Sequence, residues 1–248
     1  MKRLMRYRII SGRTTEVRDV LMESTSIKKP RNRKARKSNE KQILRNEMEA
    51  VLRLARILNC NYRGGDLFLT LKYDDGRLPA SKEEAKRLLR NFIRRISRVY
   101  QKLTGKKLLW VAVTADRSSK TGKPVRLHHH LVLKAVDWEV IAANWPADQF
   151  SYRRLDASGD YKGIAVYMIR NAGYGGGRAW STSQGMKKPK YTTPIPVTRL
   201  GGVRIPPEAR VVEREVKQDT ETGFAAAYIR FVEPLDINKS KGEERKDE

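Results

Sequence analysis

Leu127-His128-His129-His130-Leu131-Val132-Leu133 is the stretch of sequence that decides the fold. Its three consecutive histidines are the only histidines in the chain, and apolar residues follow them directly. A mostly apolar run of this length is typical of a strand inside a sheet. Alternate side chains of a strand share a face, so His128 and His130 are expected on one face and His129 on the other. The run predicts a central strand that carries a pair of imidazoles.

The neighbouring sequence predicts an α+β domain in which helices flank a central antiparallel sheet. Leu108–Thr114 and Val125–Leu133 are expected to be strands, joined by a hairpin connection. The other predicted elements are an amphipathic helix over Ser38–Cys60, a strand over Leu67–Tyr73, a helix that starts at the capping box of Ser81 and Glu84, a short helix over Asp137–Asn144, an extended segment over Phe150–Leu155, a helix from Asp160 to Ala172 ended by Gly173, and a last strand over Gly223–Val232.

The rest of the chain is predicted to consist of basic or charged extensions. We expect residues 1–37 to form a flexible basic arm, because Lys28–Lys37 is dense in charge and poor in apolar residues; a solvated tail without a partner explains this stretch equally well. Residues 38–235 are predicted to form one domain, with a basic loop at 173–202. Residues 236–248 are expected to be a disordered charged tail.

The charge of the chain indicates a polyanionic partner. Among 248 residues, 53 Lys and Arg face 28 Asp and Glu, which gives a formal net charge of +25. Nucleic acid is the expected partner, because neither a membrane-spanning run nor a lipidation motif is present. The single cysteine, Cys60, excludes an internal disulfide, and no secretory signal is visible, so a cytoplasmic location is expected.

The histidine pair indicates a metal site. Imidazoles of His128 and His130 are suited to one divalent ion if a neighbouring strand supplies a third ligand. Asp116, at the exit of the preceding strand, is the candidate third ligand, although an Asp that initiates a turn explains the position about as well. Mg²⁺ or Mn²⁺ is expected, and Zn²⁺ stays open. The alternative is that the histidines are merely exposed on an edge strand.

Tyr167 is the candidate nucleophile. On the predicted helix, Tyr161 falls on the apolar stripe, whereas Tyr167 falls outside it. Gly163 one turn before and Arg170 one turn after leave the phenol accessible beside a positive charge. A tyrosine that only packs on the surface is the alternative.

These segments together resemble motifs I, II and III of the HUH-type rolling-circle replication initiators of small plasmids, phages and integrated elements. Leu67–Asp75, Leu127–Leu133 and Ala165–Asn171 stand in the order of the three motifs. A Lys/Arg-rich segment, Arg178–Pro189, follows as it commonly does in that family. The resemblance extends from about Ser38 to Pro196.

The resemblance implies a fold, a reaction and its residues. In the family, a central antiparallel sheet with packed helices holds two metal-binding histidines, here His128 and His130. The motif III tyrosine, here Tyr167, attacks a phosphodiester of single-stranded origin DNA and leaves a 5′-phosphotyrosyl link and a free 3′-OH. Two positions depart from the pattern: His129 replaces a bulky apolar residue, and Arg170 replaces a lysine.

The expected DNA contacts and partners follow from the same features. The absence of a G-x-x-x-x-G-K-[ST] motif argues against a nucleotide cofactor, so a host helicase and polymerase are expected partners. A non-catalytic nucleic-acid-binding protein and an HUH relaxase or transposase are the alternatives, and a role for Tyr161 or Tyr174 in a second cleavage stays open. Candidate DNA-binding residues are Arg126, Lys162, Arg178, Trp180, Lys187, Lys188 and Lys190.

Overall fold

A computed structural model describes residues 2–23, 40–173, 179–219 and 224–235, and within them the fold is α+β, as predicted. The helices are α1 (Glu40–Asn61), α2 (Lys82–Thr104), α3 (Trp138–Ala142) and α4 (Lys162–Asn171). The strands are β1 (Lys2–Ser11), β2 (Thr14–Glu23), β3 (Leu67–Leu71), β4 (Trp110–Arg117), β5 (Pro124–Leu133), β6 (Phe150–Arg154), β7 (Ser181–Thr182), β8 (Lys190–Tyr191), β9 (Ile195–Pro196), β10 (Arg210–Asp219) and β11 (Phe224–Val232). Within these ranges, no helix combines the length and the apolar character that crossing a membrane requires.

The chain divides into two compact units, which corrects the prediction of a single domain over 38–235. Residues 1–35 and 189–248 form the terminal unit, and residues 36–188 form the central unit. The division falls at 188/189 because β8, β9, β10 and β11 belong to a sheet with β1 and β2. The central unit is thus inserted in sequence between the two segments of the terminal unit.

The terminal unit contains an antiparallel sheet in the order β10-β11-β2-β1-β8, with β9 also paired to β1. The predicted N-terminal arm is therefore wrong for residues 2–23, which form the β1–β2 hairpin with a turn at Gly12, at φ 59°. Alternation explains the error: basic residues of this segment such as Arg8 and Arg18 adjoin Ile9 and Val17, which are both buried. The basic run Lys28–Lys37 and the tail from residue 236 lie outside the described residues.

A buried ion pair supports this sheet. Arg6 and Asp19 lie opposite each other on β1 and β2, and two nitrogen–oxygen distances of 2.7 Å join their side chains. Arg6 Nη1 also donates to the carbonyl of Gly202, and the amide of Gly201 donates to Asp19. The bidentate pair thereby fixes a loop over the sheet face on which Val17 packs.

The central unit contains an antiparallel sheet in the order β6-β3-β5-β4-β7. The histidine strand β5 lies between β3 and β4, so the prediction of a central strand is confirmed. Helices α1 and α4 cover one face of the sheet, around Phe68, Val113 and Val132. Helix α2 packs on the other face, against leucines of β3 and β5, with Ile141 of α3 in the same core cluster.

Helix α2 starts where its capping box predicts. Ser81 Oγ accepts a hydrogen bond from the amide of Glu84 at 3.1 Å, and Glu84 Oε2 accepts one from the amide of Ala80 at 3.0 Å. The helix ends at Gly105, whose φ of 71° is easily reached only by glycine. Local sequence therefore determines both ends of α2, the long helix that packs on the second face of the sheet.

Candidate active site

His128 and His130 meet on one face of the central sheet. His130 lies opposite Thr70 of β3 and Val113 of β4, and the Nε2 atoms of the two histidines are 3.0 Å apart. Two nitrogens bound to one ion at roughly 2.0–2.1 Å with an angle of about 90–110° are about 3 Å apart. The pair is therefore spaced like two ligands of a single divalent ion.

The outer nitrogens of both rings face oxygen atoms. His128 Nδ1 lies 2.8 Å from the carbonyl oxygen of Arg126, and His130 Nδ1 lies 3.1 Å from Thr70 Oγ1. Protonation at Nδ1 leaves a lone pair on each Nε2, which is the tautomer that a metal requires. Burial, with smaller contributions from His128 and His129, lowers the pKa of His130 to about 3, so this ring is neutral at pH 7.

His129 points to the opposite face of the sheet, as the alternation predicts. Its side chain is fully buried, and Nε2 lies 2.6 Å from the hydroxyl of Tyr73 while Nδ1 lies 3.1 Å from Thr114 Oγ1. Burial, and to a lesser extent His128, lowers the pKa of His129 to about 3. A residue that departs from the apolar pattern is thus accommodated because both ring nitrogens have partners.

Tyr167 lies on α4, beside the histidine pair. Its ring packs edge-on against His130, with centroids 4.8 Å apart, and against Phe68 at 5.9 Å. Phe68 in turn stacks on His130. Tyr167 is 40% exposed, so the phenol is open to a ligand from solvent. The structure therefore brings together the three residues His128, His130 and Tyr167.

The other two candidate tyrosines differ from Tyr167. Tyr161 is buried, and its hydroxyl donates to the carbonyl of Asp156 at 3.0 Å. This agrees with its place on the apolar stripe of the helix, and its hydroxyl already has a partner. Tyr174 lies outside the described residues.

Asp116 is not placed as a third ligand. Its carboxylate accepts a 2.9 Å hydrogen bond from Lys82 Nζ, which also donates to the carbonyl of Ala172. In the part of the chain that the structure describes, no three His, Cys, Asp or Glu side chains form a group that would hold a metal. The physical reason is a bulge between Ala115 and Arg117, which interrupts the strand alternation at this residue, together with the proximity of the lysine.

Two of the predicted phosphate-binding arginines are engaged by carboxylates. Arg170 Nε lies 3.5 Å from Glu47 of α1, and Arg126 binds Asp75 at 2.6 Å. Both guanidinium groups stay largely accessible at the surface. A phosphate therefore has to compete with a carboxylate at each of these positions.

The remaining predicted DNA contacts are scattered. Lys187 and Lys188 are exposed, and Asn61 holds the backbone of Lys187 through both its amide and its carbonyl. Trp180 is half-buried against the core between α1 and the sheet, which does not favour the base-stacking role predicted for it. Lys162 is half-buried at the start of α4. Lys190 belongs to the terminal unit, and Arg178 lies outside the described residues.

A groove of about 520 Å³ lies between α1, the β4–β5 loop and the C-terminal end of α4. Its cations are Arg117, Lys120 and Arg170, and Glu47 is its carboxylate. The sequence predicts residues 118–124 only as a hairpin connection and indicates no role for Arg117 or Lys120. The signal available for them was the basic, serine-rich character of a loop next to the histidine strand.

Comparison with known proteins identifies no relative of this chain. No family model, curated protein or solved structure matches it. The candidate site is therefore defined by the geometry of its own residues.

Proposed function

We propose that this chain is a metal-dependent endonuclease that nicks single-stranded origin DNA and initiates rolling-circle replication, as the HUH-type initiators do. The observation that carries the proposal is the meeting of His128, His130 and Tyr167. Two imidazole nitrogens 3.0 Å apart lie beside an exposed tyrosine that a separate helix supplies. A protein that only binds nucleic acid requires the positive charge but not this arrangement.

The proposed reaction is one phosphoryl transfer. The phenol oxygen of Tyr167 forms a bond to the phosphorus, and the bond between phosphorus and the 3′ oxygen breaks. The proton lost by the phenol is balanced by the proton gained by the leaving 3′ oxygen, with solvent as the carrier. The products are a 5′-phosphotyrosyl link and a free 3′-OH, from which a polymerase extends.

The two imidazoles fit a divalent ion as part of its ligand set. Nε2 of His128 and of His130 would hold it, and water or phosphate oxygens would complete the coordination. When bound, the ion supplies Lewis-acid polarisation of the scissile phosphate. Because the donors are nitrogens, we expect Mn²⁺ to bind more tightly than Mg²⁺, while Zn²⁺ also suits them.

The groove beside α4 is suited to the phosphates next to the scissile bond. Arg170 follows Tyr167 by one helical turn, and Arg117 and Lys120 add two further cations. In this proposal, a DNA phosphate replaces Glu47 as the partner of Arg170. Each such contact weakens as the salt concentration rises, because binding releases counterions.

The proposed reaction also sets the partners and the location. The chain shows no phosphate-binding loop for a nucleotide, so strand unwinding is assigned to a host helicase and extension to a host polymerase. We place the protein in the cytoplasm, where its DNA would be replicated.

The test is covalent capture on single-stranded DNA that spans the candidate origin of the element encoding this protein. The labelled DNA is incubated with the protein in Mn²⁺ or in EDTA, and any adduct is mapped by peptide analysis. We expect an adduct at Tyr167 in Mn²⁺ only. Tyr167→Phe is expected to bind DNA normally and to lose cleavage. Tyr152→Phe, at another exposed tyrosine of the central unit, is the matched control and is expected to cleave.

Two results would overturn the proposal. One is cleavage by Tyr167→Phe at the same nucleotide as wild type. The other is a salt-sensitive complex that gives no adduct on any sequence tried, which would favour a non-catalytic nucleic-acid-binding protein.

A further inference from the structure

The outer face of α2 is a continuous basic surface. The whole helix is described, and its cations lie away from the core, while its acidic residues, Glu83 and Glu84, are confined to the first turn. The exposed cations are Lys86, Arg87, Arg90, Arg94, Arg95, Arg98 and Lys102. We call this surface the α2 basic face.

Most of these cations have no carboxylate partner among the described residues. Arg87 pairs with Glu84 at 3.3 Å, and Arg95 donates to the side chain and carbonyl of Asn144. Among the described residues, no carboxylate pairs with Arg90, Arg94 or Arg98. These three arginines are spaced four residues apart, and like charges at that spacing destabilise a helix. An external anion would remove this repulsion.

We propose that the α2 basic face binds the backbone of double-stranded DNA. From Lys86 to Arg98 the face extends for about 18 Å along the helix axis. A duplex carries one negative charge per about 1.7 Å of its axis, so its phosphates along this length outnumber the exposed cations between Lys86 and Arg98.

The chemistry of the face favours a duplex over a single strand. Proteins that hold single strands combine cations with exposed aromatic rings on which bases stack. The aromatic residues of α2 are Phe92, which is fully buried, and Tyr100, which packs against the core. The face therefore offers contacts to phosphates and no exposed aromatic ring for unpaired bases.

The α2 basic face and the tyrosine site lie on opposite faces of the central sheet. Helix α2 packs against Leu69 and Leu131, whereas His130 and Tyr167 lie on the side covered by α1 and α4. A duplex on α2 therefore leaves the tyrosine free for a single strand. The inference rests on the proposed function only in its choice of DNA as the polyanion.

The test compares duplex binding with single-strand cleavage in the full chain. Fluorescence anisotropy measures binding of a 24-base-pair blunt duplex in EDTA between 50 and 200 mM salt. For Arg90→Gln/Arg94→Gln/Arg98→Gln we expect the slope of log affinity against log salt to fall by about 2–3, and the affinity at 100 mM salt to fall about tenfold or more. Cleavage of a short single strand is expected to stay within about twofold of wild type.

The control is Arg204→Gln/Arg214→Gln/Lys217→Gln, which removes the same charge from exposed positions of the terminal unit. An equal loss of duplex affinity in both triple variants would mean that only net charge matters, and it would overturn the proposal. An unchanged slope for the α2 variant would also overturn the proposal, and so would tighter binding of the wild type to duplex RNA than to duplex DNA. A third contrary result would be an α2 variant that loses binding to phosphatidylserine vesicles and keeps its affinity for duplex DNA. If no tyrosine adduct forms but the α2 variant alone loses duplex binding, the nuclease proposal fails and the docking surface stands.

Discussion

At the scale of single residues, the three histidines divide into two roles. His128 and His130 face each other, and His129 is buried between Tyr73 and Thr114 on the other side of the sheet. The alternation of side chains along β5 was enough to predict this division. The partners of His129 were not predictable, because Tyr73 lies after β3, far from His129 in sequence, and their contact depends on how the chain folds.

Thr70 provides a test of how the pair is held. Its hydroxyl lies 3.1 Å from His130 Nδ1 and orients that ring. We expect Thr70→Val to weaken Mn²⁺ binding about 10–100-fold, because the loss of an outer partner of a metal-binding histidine has effects of that size. Isothermal titration calorimetry measures the affinity.

The control for this variant is Thr193→Val, at an exposed threonine of the terminal unit, which is expected to bind Mn²⁺ like wild type. An unchanged affinity for Thr70→Val would show that its hydroxyl does not orient the His130 ring for binding Mn²⁺.

The buried histidines also make stability depend on pH. The pKa values of His129 and His130 are lowered to about 3, against 6.5 for the unfolded chain. Between these values the unfolded state holds more protons, so stability falls as the pH falls. We expect a loss of about 1 kcal/mol per pH unit for each histidine between pH 6.5 and 5.

Urea unfolding in EDTA at a series of pH values measures this dependence. His129→Gln is expected to halve the slope, because one of the two buried imidazoles is removed. A free energy of unfolding that stays constant from pH 6.5 to 5 would contradict the burial of neutral imidazoles.

At the scale of elements, prediction succeeded where local sequence decides the structure. The capping box of Ser81 and Glu84 identified the start of α2, and Gly173 marked the end of α4, where φ is 66°. It failed for β10, which is largely exposed, carries charges along most of its length and has no apolar alternation. It also failed for Asp116, because a bulge and the long-range partner Lys82 determine where that carboxylate points.

The cap of α2 is testable by one substitution. Ser81→Ala removes the acceptor for the amide of Glu84, and we expect the free energy of unfolding to fall by about 0.5–2 kcal/mol. Chemical denaturation followed by circular dichroism measures the change. Ser97→Ala, inside the same helix, is the control and should cost less than Ser81→Ala. Equal effects would show that the cap contributes nothing specific.

At the scale of the whole molecule, the candidate site belongs to one unit. His128, His130 and Tyr167 all lie within 36–188, together with both core clusters of that unit. We expect a fragment of residues 36–188 to fold cooperatively and to bind Mn²⁺ with an affinity close to that of the full chain.

Thermal unfolding and calorimetry of this fragment are the measurements. The same fragment with His128→Ala and His130→Ala is the control and is expected to fold without binding Mn²⁺. A fragment that does not fold would show that the central unit depends on the terminal segments for its stability.

The pairing of β2 with both β1 and β11 has a consequence during synthesis on the ribosome. The partner β11 is translated about 200 residues after β2, which takes about 10–40 s at usual elongation rates. Throughout that interval the nascent β2 edge has no native neighbour on its β11 side. Unpaired edges are prone to join other chains. The central unit is complete before β11 emerges, so the order of translation lets the unit that holds the candidate site fold before the last strands of the terminal sheet are made.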